Sequence, residues 1–334
     1  MALIGAQAPA AHGCAPVQGW QLHWEHALTR QGAAGEAIGG FSAIAYEPLE
    51  RRIWLLSDLP QPELSQWGWP APGGTPQLLL QRPITAHGSD ALDGEGLVLT
   101  TQQLWVASEG RRTAERPALL LRVNRNDGRT LQTIPLPAEW QAGPGLGLAS
   151  NAGPESLTRL GGAGDPLQLL MAAERPLLQD PSNQVRLLRW WWPAGGTTSA
   201  APQASPQGWL QLPEPSDGAG PWSLTDLLAL PRTPGKTTTV LALLRRFTPP
   251  QQWDNHLALY ALPQPGVVAM PLQLWNLQSA GLTPENWEGL SFGPPQPHGG
   301  ISLLLVSDDN LNPLQSSRMA LLTPTPPHAC LEQP

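Results

Sequence analysis

The sequence predicts an all-β protein built as a single β-propeller, on three observations. Glycine and proline are abundant, 34 and 39 of 334 residues, and they cut the chain into segments too short for long helices. A strand, turn, strand unit recurs five times along the chain. Further strand pairs lie between these units, so each repeat supplies about four strands at a spacing of roughly 50 to 70 residues, which describes a propeller blade.

The repeats are GGFSAIAYEPLERRIWLLSD (39–58), DGEGLVLTTQQLWVASEG (93–110), GPESLTRLGGAGDPLQLLMAAER (153–175), WSLTDLLALPRTPGKTTTVLALLRR (222–246) and ENWEGLSFGPPQPHGGISLLLVSDD (285–309). Each gives an apolar strand, a turn, and a second apolar strand that ends in a charge, and Gly, Pro and Asp between such strands are hairpin signals. The intervening pairs are clearest in ALLLRVNRNDGRTLQTIPL (118–136), where Asn-Asp-Gly marks a tight turn, and in HLALYALPQPGVVAMPLQLW (256–275). Five blades are visible, and the spacing leaves room for a sixth.

The last repeat is followed by one strand, RMALLTPTP (318–326), and lacks a fourth. VQGWQLHWEHAL (17–28) is the candidate for it, so the ring is expected to close by pairing the N-terminal strand with the C-terminal blade. That pairing would bring Cys14 near Cys330, as either a ring-closing disulfide contributing roughly 4 to 5 kcal/mol or two free thiols on the tails. The propeller domain is expected over 15–326, with flexible tails at 1–14 and 327–334. The Ser/Ala/Pro-rich segment 193–208 reads as an inserted surface loop, and Trp190-Trp191-Trp192 before it as a strand end packed beneath.

Composition excludes several functions. The formal charge is −7 and Lys236 is the only lysine, so the basic face that nucleic acid demands is missing. The apolar runs, such as Leu303 to Val306, are far too short to span a bilayer, and the chain reads as a soluble monomer. Its first residues lack the basic start and continuous apolar run of a signal peptide. Fifteen tryptophans against two tyrosines and three phenylalanines are expected mostly in the core.

Charge converges where strands begin and end. Glu95, Glu155 and Glu288 open the first strand of their repeats, with Ser42 and Thr225 in the equivalent places. Asp58, Glu109, Glu174, Arg245 and Asp308 close the second. Antiparallel pairing puts the start of one strand beside the finish of the next, so all ten positions reach one rim. If the hairpin is the inner half of each blade, seven carboxylates meet at the channel mouth around Arg245 and Arg246. Such a cluster must share protons, pair with the arginines or bind a cation. Oxygen ligands without Cys or clustered His favour Ca²⁺, with Mg²⁺ as the other candidate, and the tract from Ser307 to Asn310 adds hard donors. The competing reading is that Glu95, Glu155 and Glu288 accept backbone N–H bonds and knit neighbouring blades together.

Other chemistry is thinly represented. There is no G-x-S-x-G elbow, P-loop or H-E-x-x-H motif. His87 and His298 sit in loops that could reach the rim, although a solvated loop histidine is the commoner case. Arg111, Arg112 and Arg175 follow rim acids, where they would meet an anionic substrate or pair with surface carboxylates.

The ordered set GGFSAIAYEPLERRIWLLSD, LWVASEG with ALLLRVNRNDGRTLQTIPLP, GPESL, LLRRF, and ENWEGLSFGPP with LLLVSDDN resembles the phytase-like, or esterase-like, family of bacterial proteins over about residues 37–323. The resemblance implies a β-propeller, hydrolysis of phosphate or carboxylate esters, and a periplasmic or extracellular setting. By analogy with calcium-dependent propeller phytases, the metal ligands would be Asp58, Glu109, Glu174, Asp308 and Asp309. Glu109, Glu174 and Arg245 would be catalytic, and Arg245, Arg246 and Arg111 would receive a small anionic ester. The chain departs from the family pattern at Arg245, where members usually carry an acid before the Arg-Phe of LLRRF. The rival expectation is a non-enzymatic propeller that binds a ligand or protein and holds a structural calcium.

Overall fold

A computed structural model describes residues 15–32, 35–85, 92–111, 113, 116–162, 164–193, 200–215, 219–231, 236–250, 252–296, 300–327, 329 and 331. Cys14, Cys330, His87, His298, Arg112, the tail 1–14 and most of the tail 327–334 lie outside the described residues, as does 194–199 of the expected loop. No helix among the described residues is long and apolar enough to cross a membrane.

Among the described residues, twenty-one strands form five sheets. The first strand, β1 (Gly19–Ala27), belongs to the last blade. Blade one comprises β2 (Phe41–Glu47), β3 (Arg52–Ser57), β4 (Glu63–Gly68) and β5 (Gln77–Pro83), and blade two β6 (Gly94–Leu99), β7 (Gln103–Ser108), β8 (Leu119–Asn124) and β9 (Thr130–Pro135). Blade three holds β10 (Ser156–Leu160), β11 (Gln168–Ala172), β12 (Gln184–Trp191) and β13 (Gln203–Gln211). Blade four holds β14 (Ser223–Ala229), β15 (Thr239–Thr248) and β16 (Gln252–Ala261). Between β16 and its partner, the short β17 (Val268–Ala269) leaves to pair in parallel with β13, and β18 (Pro271–Asn276) completes blade four. Blade five is β19 (Trp287–Phe292), β20 (Leu303–Ser307) and β21 (Arg318–Thr325), with β1 outermost.

The blade count is therefore five, and the ring closes as expected: β1 runs antiparallel to β21 from Gly19 opposite Thr325 to Ala27 opposite Arg318. The expected loop 193–208 needs correction. Its end, from Gln203, is strand: Gln203 pairs with Trp191 and Ala204 with Trp190. Polar residues suffice there because this outer strand leaves much of its surface to solvent. Trp190 and Trp192 are buried, and the Trp192 ring sits 4.7 Å from that of Trp105 in blade two.

Strands inside the blades read as unbroken apolar runs because both faces of each sheet are covered by neighbouring blades. In β3, Ile53 and Leu55 face blade five, where they pack with Leu304, Val306 and Met319. Trp54 and Leu56, on the other face, pack with Leu104, Val106 and Leu121 of blade two.

The first strand of every repeat is innermost, and β2, β6, β10, β14 and β19 lie against one another in a closed ring. Four of them carry a β-bulge at the same place, with Ser42, Glu95, Thr225 and Glu288 as the extra residue. A bulge takes a residue out of the ladder and re-aims its side chain. The residue after each bulge meets the adjoining blade. A Cβ on Gly96 would stand 2.7 Å from the Leu157 nitrogen, and one on Gly289 2.9 Å from the Ile44 nitrogen, so these two approaches exist only over bare glycine. In blade four the same position is Asp226, fully buried, whose carboxylate accepts the Leu227 N–H at 2.8 Å and the Leu290 N–H of blade five at 2.7 Å. Beneath it Ile44, Leu97, Leu157, Leu227 and Leu290 are a tier of buried apolar residues at equivalent places in the five inner strands.

The ring's tightness is testable at Asp226. Asp226→Ala leaves two buried N–H groups without partners, an expected loss of about 2 to 5 kcal/mol in unfolding free energy, measurable by denaturant titration.

Candidate functional site

Three tiers of residues build one mouth of the channel. Two residues before each bulge position stand Gly40, Asp93, Gly153, Ser223 and Asn286. In four blades the carbonyl of this residue accepts the N–H of the charge that ends the second strand: Asp58 on Gly40, Glu109 on Asp93, Glu174 on Gly153 and Asp308 on Asn286, at 2.8 to 2.9 Å. In blade four Ser223 pairs with Arg245 in the ladder. The second tier is therefore Asp58, Glu109, Glu174, Arg245 and Asp308, and the third is Ser42, Glu95, Glu155, Thr225 and Glu288. Rigid pairing, not loop chance, delivers each group to the axis.

The one cation of the second tier holds the acids together. Arg245 donates through Nη1 to Glu288 and Asn286, and through Nη2 to Glu174 Oε1 at 3.0 Å. Burial acts to lower its pKa, but Glu288, Glu174 and Glu155 outweigh that and raise it above the ordinary arginine value. Asn286 extends the network by donating to Glu288 at 2.9 Å and to Asp308 at 3.1 Å. Neighbouring Arg246 points elsewhere. It pairs with Asp254 at 2.7 Å and lies over the Trp222 ring, since successive strand residues face opposite sides.

The remaining acids are short of positive charge. Burial raises Glu95 and Glu155 well above the ordinary glutamate value, and each is raised further by the other acids of the mouth. Burial, then Glu288 and Asp93, lift Asp58 to about 7. Burial, with Asp93 and Glu174, lifts Glu109 to about 8, against the opposing pull of Arg111. Asp308 is raised by burial and by Glu288 and Asp58. Its neighbour Asp309 serves the ring closure, accepting the Gly40 N–H at 2.9 Å and the Leu311 N–H at 3.1 Å, with Arg30 at 3.6 Å.

Asp93, Glu95 and Glu109 each place a carboxylate oxygen within 4.8 Å of the others, and all three are buried. Only Glu109 of this trio is among the five expected metal ligands. Glu95 was expected at the rim, and Asp93 stood in the DGEG tract without a role. Three hard oxygen donors at this spacing suit Ca²⁺ or Mg²⁺. At the entrance, the half-exposed Arg111 contacts Asp93 at 3.0 Å and Arg175 contacts Ser223 at 3.2 Å.

Protonated acids stabilise this mouth when no cation is bound. A carboxyl whose pKa is raised by folding contributes stability that is complete below its unfolded value, near 4, and is lost as pH rises through its folded value. Metal-free protein is therefore expected to melt progressively lower as pH rises through about 7 and 8, the folded values of Asp58 and Glu109. Arg245→Met should cost about 3 to 5 kcal/mol at pH 8 and distinctly less at pH 5, as read by melting curves at the two pH values.

Comparison with known proteins places this site in a family. No curated protein matches the sequence. Among solved structures, a chain from an S. cerevisiae assembly of a dbp5 variant bound to nup159, a gle1 variant, IP6 and ADP aligns over 92% of this chain and 98% of that one, with 8% identity and a TM-score of 0.38. That likeness is too loose to speak to function. The family model described as "Phytase-like: Esterase-like activity of phytase" matches residues 36–311, a span that takes in every tier of the mouth, and the chain belongs to the phytase-like family.

Proposed function

We propose that the acidic mouth is the centre of a metal-assisted hydrolase acting on small anionic phosphate or carboxylate esters. The observation that carries this reading is the convergence of Asp93, Glu95 and Glu109 within 4.8 Å in a buried setting, on the rim where Asp58 is held at about 7. These three residues would hold the cation, and their all-oxygen donor set fits Ca²⁺ or Mg²⁺. Such an ion supplies charge to polarise the ester and water.

The chain's own groups do the rest. Arg111 and Arg175, at the entrance, attract the substrate's negative group and orient it toward the acids. Arg245, clamped by Glu174 and Glu288, keeps those two carboxylates positioned. Asp58 is matched to accept a proton near neutral pH, and Glu109, when not engaged by a cation, to hold one. The mouth lies above a layer of packed apolar side chains, so the field of these charges is weakly screened.

Asp308 and Asp309 favour a different use. Their bonds to the Asn310, Gly40 and Leu311 N–H groups fit a mouth whose metal serves folding, in a propeller that binds rather than cleaves. The two readings part in one experiment. Purified protein is offered a panel of phosphate monoesters, diesters and carboxylate esters, with Ca²⁺, with Mg²⁺ or with chelator, beside Asp93→Asn and Glu109→Gln. The hydrolase reading expects turnover that is abolished by chelator and falls about a hundredfold or more in either variant. A metal-dependent rise in melting temperature without turnover on any ester would leave the binding scaffold.

A further inference from the structure

The channel has a second end, and its chemistry is the opposite of the acidic mouth. Below the layer formed by Ile44, Leu97, Leu157, Leu227 and Leu290, the inner strands diverge around a cavity of about 430 Å³. All five strands contribute to it. Its rim is set by the residues two places further along each strand: Tyr46, Leu99, Arg159, Ala229 and Phe292. The buried leucines and isoleucine thus form a floor, and aromatic and aliphatic groups form most of the rim.

Polar groups in the wall are turned to the backbone. Thr158 Oγ1 accepts the Ala229 N–H at 3.0 Å, and Ser291 Oγ accepts the Tyr46 N–H at 3.2 Å. One cation and one anion reach the lining, and both are held by main chain. Arg159 Nη2 donates to the Gly162 and Asp165 carbonyls at 2.9 and 3.0 Å, and Asp165 Oδ2 accepts the Gly162 N–H at 2.7 Å. Among the described residues the lining therefore carries no formal net charge.

We propose that this funnel binds an uncharged apolar small molecule, an alkyl or aryl compound without an ionised group. The volume lies within the range of small-molecule pockets, and a largely apolar concavity with a few polar groups at its edge is their usual form. The balanced pair of Arg159 and Asp165 gives an ion of either sign no advantage, while leaving water in a bowl of leucine and phenylalanine is unfavourable. The site is separate from the acidic mouth, with the Asp226 tier and the leucine layer between them, so the proposal stands whether or not the mouth catalyses.

Nile red, an uncharged fluorophore, tests it by titration into the full chain, followed by displacement with 1-nonanol and, in parallel, with nonanoate. The expected result is saturable one-to-one binding, displaced by 1-nonanol at concentrations at least about tenfold lower than by nonanoate. Ala229→Trp fills the mouth of the funnel and should weaken binding about tenfold or more. Leu99→Glu, at a half-buried rim position that tolerates a charge, should do the same if Ala229→Trp fails to fold, with folding followed by circular dichroism. Absent saturation, equal displacement by nonanoate, or undiminished binding in a folded Leu99→Glu protein would overturn the proposal. Loss of dye binding as protein concentration rises would also overturn it, in favour of a second copy of the chain as the occupant.

Discussion

Five sheets gathered about an axis present five inner strand edges to one another, and at the narrowest point the strands bring only glycine, small residues or one hydrogen-bonded acid: Ala43, Gly96, Ser156, Asp226 and Gly289. Gly96 and Gly289 meet the neighbouring backbone directly, and Asp226 fills its share of the gap by accepting the opposing N–H groups. Everything above and below follows from this waist. The bulges just before it turn acids toward one end, and the residues just after it supply the apolar layer that faces the other.

The electrostatics of the mouth follow from the same crowding. Carboxylates brought together by ladder pairing cannot relax apart without breaking strand hydrogen bonds. Their repulsion must therefore be met by protons, by Arg245 or by a bound cation. Arg245 stands where the family pattern usually carries an acid, and it draws Glu174, Glu288 and Asn286 to one side of the rim. Asp93, Glu95 and Glu109 converge elsewhere on the mouth, where Arg111 and Arg116, at 3.0 and 4.0 Å from Asp93, offset part of their charge.

Much of this was legible in the sequence. Repeated strand pairs, charged strand ends and a last blade short of one strand were enough to predict the propeller, its closure and the acidic rim. Other features turn on pairing details that one-dimensional patterns do not carry. A bulge adds a residue without changing composition, so the tier containing Asp93 and Asn286, two positions upstream, did not stand out in the tract DGEG or ENWEG. Asp226 was concealed inside an apolar run, WSLTDLLAL, yet it performs the inter-blade knitting expected of Glu95, Glu155 and Glu288. Arg246 was grouped with Arg245 by adjacency, although strand alternation sends it to Asp254. The outer strand from Gln203 was hidden by a composition that solvent exposure permits.

The clasp between β1 and β21 joins residues near opposite ends of the described chain, with Ala27 set against Arg318. A ribosome must therefore deliver β1 long before its partner exists, and β1 stays unpaired until β21 has been made. In that interval β1 has no partner along its edge, an open template for a strand from any other chain. Ring closure is thus also the step that retires the nascent protein's most adhesive edge, and slowing it would show first as aggregation during synthesis, before any loss of finished structure.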